Sequence, residues 1–431
     1  MATGIQLNDK RTTNGWCMYD WANSVYSLTI TTAVFPIYYE AVTTQPDGTA
    51  MVDFYGWSLP NTVLYSYALS VSFLLTAMLI PLLSGIADYS GRKKSFLRFF
   101  AYFGALCCAG MYFFTGQNVE FGILMAVLAS VGYSASLVFY DAFLPEIATP
   151  DRFDELSAKG YSMGYVGSVI LLILNLAIIE SPATFGIPEG DLPARLSFLS
   201  VGLWWMGFAT YSLNRLPANP YHKRPEGHWL LNGYKELRLV YSRIRKLSQM
   251  KQFVLGFFFY NAGVQAVMYL ASLFGAKELN METRDLIMTV LIIQLVAIGG
   301  AYVFAFLSKR KGNIYSLSVM IVIWIAVCIL AFFVSTNYQF FGLAFLVGVI
   351  MGGIQALSRA TFSKLIPEDT TDHASFFSFY DVTFNVSIVF GTIAYGTVEW
   401  FTGSMRYSAL VLSVFFVIGL LLIRRVRSNW A

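Results

Sequence analysis

Ser84-Gly85-Ile86-Ala87-Asp88-Tyr89-Ser90-Gly91-Arg92-Lys93-Lys94 is a charged loop between two long apolar segments. The run before it, 63–83, contains no charged residue, and neither does the run after it, 99–117. Segments of about 20 apolar residues are long enough to cross a bilayer as helices. Glycine and aspartate allow a tight reversal between two such helices, and the three cations indicate which side of the membrane the loop faces.

The composition of the whole chain indicates the same kind of structure. The 431 residues are 56% hydrophobic and only 13% charged, whereas about a quarter of the residues of a soluble domain are charged. Backbone polar groups in lipid must pair within their own segment, so spans of this length are helices. We therefore predict an all-α membrane protein with twelve transmembrane helices, at approximately 16–43, 61–87, 95–115, 120–146, 159–180, 195–214, 252–275, 285–307, 314–336, 340–362, 375–400 and 406–423.

The distribution of cations predicts the orientation. If the N-terminus lies inside, all but four of the 29 Lys and Arg residues fall on the inner side, the exceptions being Arg195, Lys277, Arg284 and Arg406. This is the positive-inside pattern, and it places both termini in the cytoplasm. The net charge of +4 is explained by this bias, so we expect the lipid bilayer and a small-molecule substrate as partners and no nucleic acid. We expect a monomer.

The chain divides into two similar halves. We predict a six-helix bundle at 1–216, a cytoplasmic linker at 217–251 and a second six-helix bundle at 252–431. The ends of spans four and ten have similar sequences, Phe143-Leu144-Pro145-Glu146 and Leu365-Ile366-Pro367-Glu368. Such similarity is expected for parallel repeats. The loop after span eight, 308–312, takes the place of the opening loop but lacks its acid if Gly312 matches Gly91.

The linker contains a predicted basic amphipathic helix. Asn219-Pro220 and Pro225 interrupt regular structure early in the linker. From Leu230 onward, apolar residues recur at helical spacing, with a cationic opposite face. Such a helix lies on the inner leaflet, where it serves either as a tether between the halves or as a regulatory element. Its apolar positions are Leu230, Tyr234, Leu237, Tyr241, Ile244 and Leu247, and its cations are Lys235, Arg238, Arg243, Arg245 and Lys246.

Asp20, Asp141, Arg359 and Asp381 are charged residues inside predicted spans, within a few turns of the inner face. Acids within a membrane are costly and indicate function by default, so Asp20, Asp141 and Asp381 are candidates for proton coupling. The alternative for Asp20 is a structural carboxylate near the inner interface. Arg359 lies at a similar depth, and ion pairs between it and the acids would close an inner gate or form a static packing network.

Uncharged polar and aromatic residues fall near the middle of several spans. Substrate sites of two-repeat transporters lie at this level, and amides and phenols suit a polar or zwitterionic solute. The alternative is that these side chains hold helices together by hydrogen bonds. The substrate-binding candidates are Asn23, Tyr26, Tyr133, Asn261, Gln265, Gln355 and Asn385.

Catalytic and cofactor chemistry is not expected. The four cysteines fall inside spans without paired spacing, which favours free thiols over a disulfide framework or zinc site. Gly160-Tyr161-Ser162-Met163-Gly164 matches a hydrolase nucleophile pattern, but that pattern requires a strand-to-helix elbow and here it opens a membrane helix. We predict no enzyme, no cofactor and no metal site. Gly160, Gly164 and Gly167 are spaced for close helix packing.

The charged loop at 84–94 resembles the motif between the second and third helices of major facilitator superfamily transporters. It departs from the motif in having Ser84 where the family usually has Gly. The resemblance implies that Asp88 contacts the start of span eleven near Ser375, and that Arg92 meets Asp141 or Glu146. It also implies gating roles for Asp88, Gly91, Arg92, Glu146 and Arg359.

Motifs in both halves resemble the vacuolar amino-acid effluxer (autophagy-related) family. Asp141 departs from this family, which commonly has Asn there, and Ala262 stands where an Asp often follows Asn261. The vacuolar branch of the family implies amino acids as substrates. The short loops fit the bacterial branch, which implies a bacterial inner membrane. The matching segments are 19–24 with 33–39, 140–146, 159–168, 355–359 and 376–381.

These observations lead to one functional prediction and two alternatives. We predict a secondary active transporter that moves a small polar or zwitterionic solute, with amino acids favoured, by alternating access; proton coupling by symport or antiport is a hypothesis. One alternative is a non-transporting receptor or scaffold with the same fold. The other is a transporter of lipid-like or drug-like amphiphiles.

Overall fold

The computed structural model describes residues 6–45, 50–218 and 229–427, and its first part forms six spans and one small hairpin. Short 3₁₀ turns occur at Met111–Phe113, Pro150–Arg152 and Pro182–Phe185. The elements in chain order are α1 (Lys10–Val25), a π-helical segment (Tyr26–Val34), α2 (Phe35–Thr43), β1 (Met51–Phe54), β2 (Trp57–Pro60), α3 (Asn61–Ser90), α4 (Lys93–Gly110), α5 (Val119–Asp141), α6 (Leu144–Ile147), α7 (Phe153–Glu180) and α8 (Leu192–Leu213).

The second part begins with the linker helix and continues with six long helices. We call the end of the molecule that holds Gly91, Gly312 and the linker helix the basic end. The elements are the linker helix α9 (Trp229–Lys246), α10 (Ser248–Leu279), α11 (Thr283–Lys311), α12 (Asn313–Phe333), α13 (Asn337–Leu365), α14 (His373–Thr402) and α15 (Met405–Ile423).

The predicted all-α membrane fold is confirmed. Among the described residues, eleven helices are long and apolar enough to cross a membrane. The remaining predicted span, the first, is formed by α1, the π-helical segment and α2, which follow one another without a break over Lys10–Thr43. Most helices extend beyond the apolar runs that predicted them, since α7 begins at Phe153 rather than at 159.

The π-helical segment of span one was not predicted. Its end is marked by the Phe35 N–H, which donates to the Ile30 carbonyl five residues earlier. The Thr32 hydroxyl likewise bonds to the Ser27 carbonyl at 3.0 Å. Such segments occur mostly as short insertions in α-helices, frequently at functional sites. Here the segment places several side chains of span one toward the space between the two bundles.

The two bundles meet through two equivalent sets of helices. Helix α7 packs against α11 and α13, and α14 packs against α3 and α5. Small side chains allow the first of these contacts, because Ala158, Ala301, Ala305 and Ala356 form a buried cluster between α7, α11 and α13. The arrangement is the pseudo-symmetric pairing expected of two repeated bundles.

Glycines let neighbouring helices of one bundle approach closely, as predicted. A Cβ at Gly164 would lie 2.4 Å from Oγ of Ser24, and one at Gly167 would lie 3.0 Å from the Trp21 ring. Span five therefore packs against span one at a separation that only glycine permits. In the second bundle, Gly352 approaches the Ala297 carbonyl oxygen in the same way, with 2.3 Å from its added Cβ.

The linker helix is confirmed as a helix, but one contact differs from the predicted arrangement. Arg243 was assigned to the solvated cationic face, yet its Nη1 lies 3.0 Å from Oδ2 of Asp372. Tyr241 packs against Phe379 of α14 with the rings tilted and their centroids 5.9 Å apart, and the buried Val240 anchors the helix. Helix α9 therefore docks on the bundle at the basic end. The predicted breaks at Asn219-Pro220 and Pro225 lie outside the described residues.

Candidate functional site

A central cavity lies between the two bundles. It has a volume of about 220 Å³ and is lined by residues from both halves of the chain. A smaller chamber of about 100 Å³ adjoins it. The two share the side chains of Tyr161, Gln355 and Asp381, so they form one continuous site.

The predicted substrate-binding residues all line this site. Tyr26, Tyr133, Gln265, Gln355 and Asn385 line the central cavity. Asn23 and Asn261 line the smaller chamber. The structure therefore brings together residues from five different spans that the sequence placed only at a common depth; their role in binding stays a prediction.

Two polar atoms of the site have no hydrogen-bond partner among the described residues. They are Nδ2 of Asn23 and Oε1 of Gln294, and both are buried. Buried polar atoms are usually paired, so these two are available to a ligand or to water. Other polar groups of the site are already engaged, because Asn261 donates to Ser387 at 2.6 Å and Tyr165 donates to Gln355 at 2.6 Å.

Arg359 forms a buried ion-pair cluster that joins the two bundles. Its Nη2 lies 3.1 Å from Oδ2 of Asp20, and its Nη1 lies 3.0 Å from Oδ1 of Asp141. The remaining donors bond to Ser157, with Nε 2.9 Å from the hydroxyl and Nη2 3.2 Å from the carbonyl oxygen. Arg359 of the second bundle is therefore fully partnered by residues of the first, as a buried cation requires.

Aromatic rings enclose the Arg359 cluster. The guanidinium carbon lies 4.3 Å from the Tyr161 ring centroid and 4.7 Å from that of Trp16. The Tyr140 hydroxyl donates to the same Asp20 oxygen as Arg359, at 2.8 Å. Cation–π contacts strengthen when water is excluded, so the rings hold the guanidinium in place and close the path between the cavity and the basic end.

Asp381 differs from the other two predicted acids. We predicted it as a member of the inner ion-pair network, but no described Lys or Arg forms a salt bridge with it. Its carboxylate accepts one hydrogen bond, at 2.9 Å from Nδ2 of Asn385. It is only partly buried, because it faces the cavity. The site therefore holds a carboxylate without a counter-cation among the described residues.

Asp88 closes the basic end at the start of α14, where the sequence resemblance placed it. Its carboxylate accepts hydrogen bonds from the backbone N–H groups of Ala374 at 3.2 Å and Ser375 at 2.6 Å. An anion at a helix N-terminus satisfies unpaired N–H groups and interacts with the helix dipole. Gly91 ends α3 with φ of 64°, a left-handed conformation that favours glycine.

The predicted pairing of Arg92 with Asp141 or Glu146 is wrong. Arg92 is exposed at the cap of α4, and the next residue, Lys93, takes the inward position. Its Nζ pairs with Glu146 and bonds to the Ala142 carbonyl at 3.0 Å. Asp141 binds Arg359 instead. Because α4 starts at Lys93, the helix phase directs this side chain into the bundle and the preceding one to solvent.

Glu146 also reaches the second bundle. Nδ1 of His373, the first residue of α14, lies 3.0 Å from Oε1 of Glu146. The Glu146 carboxylate therefore links α4, α6 and α14 at the basic end.

A second acid also joins the two bundles at the basic end, where α7 meets α11 and α13. Asp154 at the start of α7 accepts hydrogen bonds from Ser308 at 2.5 Å and Asn313 at 2.8 Å. Lys364 lies 2.8 Å from the same carboxylate. The loop at 308–312 lacks an acid, as predicted, but Asp154 of the opposite bundle supplies one. Gly312 has φ of 84° and so shares the positive φ of Gly91.

Among the described residues, contacts between the two bundles close the basic end. The hydrogen bonds that join the two bundles all lie between that end and the Tyr165–Gln355 pair, within the described part of the chain. The cavity lies on the other side of this zone and extends toward Phe35 and Tyr65.

Comparison with known proteins identifies the family. The family model described as "Vacuole effluxer Atg22 like" matches residues 8–430. The chain belongs to this Atg22-like family. It is 33% identical over 412 residues to the uncharacterized MFS-type transporter YxiO of Bacillus subtilis (strain 168), covering 95% of this chain and 93% of that protein. It is 24% identical to autophagy-related protein 22 of Yarrowia lipolytica, covering 89% of this chain and 79% of the relative.

Solved structures agree on the fold. The chain resembles the major facilitator transporter FucP in its outward conformation with a TM-score of 0.71 and 13% identity, over 97% of this chain and 99% of FucP. A bacterial homologue of the iron transporter ferroportin gives a TM-score of 0.67 at 15% identity, over 98% and 100% of the two chains. By its match to the Atg22-like family model and to the MFS-type transporter YxiO, this chain is a major facilitator superfamily secondary transporter and not an enzyme.

Several site residues of this Atg22-like chain were not predicted. Lys93, Asp154 and His373 lie outside the predicted spans, and hydropathy alone does not show which loop residues turn inward. Ser162, the central residue of the hydrolase-like pattern, donates to the Ile298 carbonyl at 3.0 Å across the interface. Tyr161 and Gln294 also line the cavity; Gln294 lies on α11, which carries no predicted substrate-binding residue, so helical spacing could not have indicated it.

Proposed function

We propose that this transporter moves a small polar or zwitterionic solute by alternating access and couples its movement to protons. The observation that carries the proposal is Asp381, a carboxylate that faces a cavity between two bundles without a counter-cation among the described residues. An intramembrane acid of this kind marks a substrate or proton pathway. Amino acids are the first substrates to test, since the polar groups of the cavity wall are mainly amides, hydroxyls and phenols.

The three acids have different roles in this proposal. Asp20 and Asp141 balance Arg359 and hold the basic end closed. Asp381 forms no salt bridge with a described Lys or Arg, so it is the acid that takes up and releases a proton during the cycle. Substitution of Asp20 should therefore alter gating, and substitution of Asp381 should alter coupling.

Opening of the basic end requires the separation of charged pairs. The Arg359 cluster, the Asp88 cap and the Asp154 cluster each join one bundle to the other. Removing one partner of a buried pair costs about 3–5 kcal/mol, so the pairs must be exchanged for water or for other partners as the bundles rock. A solute in the cavity would provide the free energy that favours one state over the other.

We further propose a position in the cell. The clustering of cations at the basic end supports a cytoplasmic position for that end by the positive-inside rule. Both termini would then be cytoplasmic, in a bacterial inner membrane, and we expect the protein to act as a monomer whose two bundles, at 1–216 and 252–431, rock against each other.

Uptake into proteoliposomes tests the proposal. Purified protein is reconstituted, and uptake of radiolabelled amino acids is followed with and without an imposed pH gradient. We expect accumulation that needs the gradient and is abolished by a protonophore. Asp381→Asn should abolish accumulation, whereas Asp151→Asn, at an exposed carboxylate outside the cavity, should not. Uptake that is equal with and without the gradient would disprove proton coupling.

A further inference from the structure

Among the described residues, only negative charge lines the central cavity. Among the described residues that line it, Asp381 is the only charged one. The other polar groups are hydroxyls, amides and phenols. A carboxylate or phosphate on a ligand would therefore find no cation in this part of the site, while a ligand cation would find a carboxylate.

The one arginine nearby is not available to a ligand anion. Arg359 lines only the smaller chamber, and its guanidinium is already bound by Asp20, Asp141 and Ser157. It is 1% exposed. Since a bidentate carboxylate needs free N–H donors on one edge of a guanidinium, a solute could use Arg359 only by displacing an existing acid.

Tyrosine rings surround the cavity. Their faces attract cations electrostatically, and the attraction is strongest where water is excluded. The Tyr26 and Tyr133 rings already pack with centroids 5.0 Å apart, and those of Tyr161 and Tyr165 are 6.3 Å apart, so these walls are preformed. The tyrosines that line the cavity are Tyr26, Tyr65, Tyr133, Tyr161, Tyr165 and Tyr269.

We propose that the group recognised in the transported solute is an ammonium, which binds the Asp381 carboxylate among these tyrosines, and that the site favours amines over amino acids and amino acids over acids. The inference rests on the proposed transport function and narrows its substrate class. A proton and the solute's ammonium would then use the same carboxylate at different points of the cycle.

Equilibrium binding of three matched probes tests the inference. Phenethylamine, phenylalanine and 3-phenylpropionate share a phenyl group and differ in charge. Binding to the purified full-length protein in nanodiscs is measured by titration calorimetry. We expect phenethylamine to bind at least about tenfold more tightly than phenylalanine, because the carboxylate of phenylalanine would lose hydration without gaining a cation, and 3-phenylpropionate to bind most weakly.

Variants assign the preference to the proposed carboxylate. Asp381→Asn should weaken phenethylamine binding by about 10- to 100-fold. The double variant Asp381→Asn/Asn385→Asp returns a carboxylate to the cavity wall, and most of the affinity should return with it. Asp151→Asn is the matched control outside the site and should leave binding unchanged.

Three outcomes would overturn the inference: phenylalanine binding as tightly as phenethylamine, an unchanged phenethylamine affinity in Asp381→Asn, or no binding of any of the three probes. The order of the three affinities in the wild-type protein tests the inference even if the Asp381→Asn variant fails to fold. Gradient-driven accumulation of an amino acid together with a preference for phenylalanine would overturn only this inference. Tight phenethylamine binding without transport of any probe would overturn only the proposed function.

Discussion

Gly160 of α7 faces Asp20 of α1 so closely that an added Cβ would lie 2.3 Å from the Asp20 Oδ2 atom. The same Cβ would lie 3.1 Å from Nη2 of Arg359. A hydrogen atom at this position is therefore a condition for the ion pair that joins the two bundles. The predicted role of Gly160 in helix packing extends in this way to the geometry of the charged cluster.

Gly160→Ala should consequently disrupt the Arg359 cluster. Overpacking of a tight contact costs about 1–3 kcal/mol, so we expect a lower thermal unfolding temperature in detergent and reduced transport. Gly207→Ala is the matched control, because no atom lies within 4 Å of its added Cβ. That substitution should be neutral or stabilising by up to about 1 kcal/mol. Equal effects of the two substitutions would contradict the proposed contact.

Lys93 and Arg92 are adjacent cations whose removal should have different effects. Lys93→Gln removes the lysine that holds the Glu146 carboxylate, which also bonds to His373 of the second bundle. It should cost about 3 kcal/mol and, by loosening this link, favour an open basic end. Arg92→Gln removes an exposed charge and should change stability by less than about 0.5 kcal/mol.

Opening of the basic end in these variants is measured by maleimide labelling of Ala356→Cys, a position of α13 that is buried against α7. The native cysteines are buried, so their background reaction is low. We expect faster labelling with Lys93→Gln and no change with Arg92→Gln. Faster labelling with Arg92→Gln alone would show that the assignment of Lys93 is wrong.

Asp154 should matter as much to closure as Asp88. Asp154→Asn removes the charge that pairs with Lys364, whose side chain is only 9% exposed, and should cost about 3 kcal/mol. Asp151→Asn, three residues earlier and exposed, should cost less than about 0.5 kcal/mol. Unfolding temperatures of the two variants test this difference; similar values would mean that the Asp154 cluster does not stabilise the interface.

The sequence predicted the fold and the depth of the main site residues. Apolar runs located the spans, and the cost of charge in lipid singled out Asp20, Asp141 and Arg359, which the structure joins in one cluster. Charged residues at a common depth in lipid avoid it by pairing with one another or by facing a cavity. Their pairing could be anticipated for that reason.

Other features depend on local geometry that periodicity does not specify. The choice of Lys93 over Arg92 follows from the residue at which α4 starts. The π-helical segment has no characteristic composition that would have revealed it. The hairpin of β1 and β2 was not predicted: its two-residue turn Tyr55-Gly56 has positive φ at both positions, but only the glycine is a typical residue of such turns.

The central claim is that the two bundles rock about the cavity and that Arg359 holds the basic end closed. Pulsed EPR between spin labels at Arg92→Cys and Lys309→Cys, both exposed at the basic end, measures this directly. A second pair at Gln117→Cys and Trp400→Cys reports on the opposite end, where both residues are exposed. In the Arg359→Gln background we predict a longer distance at the basic end and a shorter one at the opposite end. Unchanged distances at both ends would contradict the account.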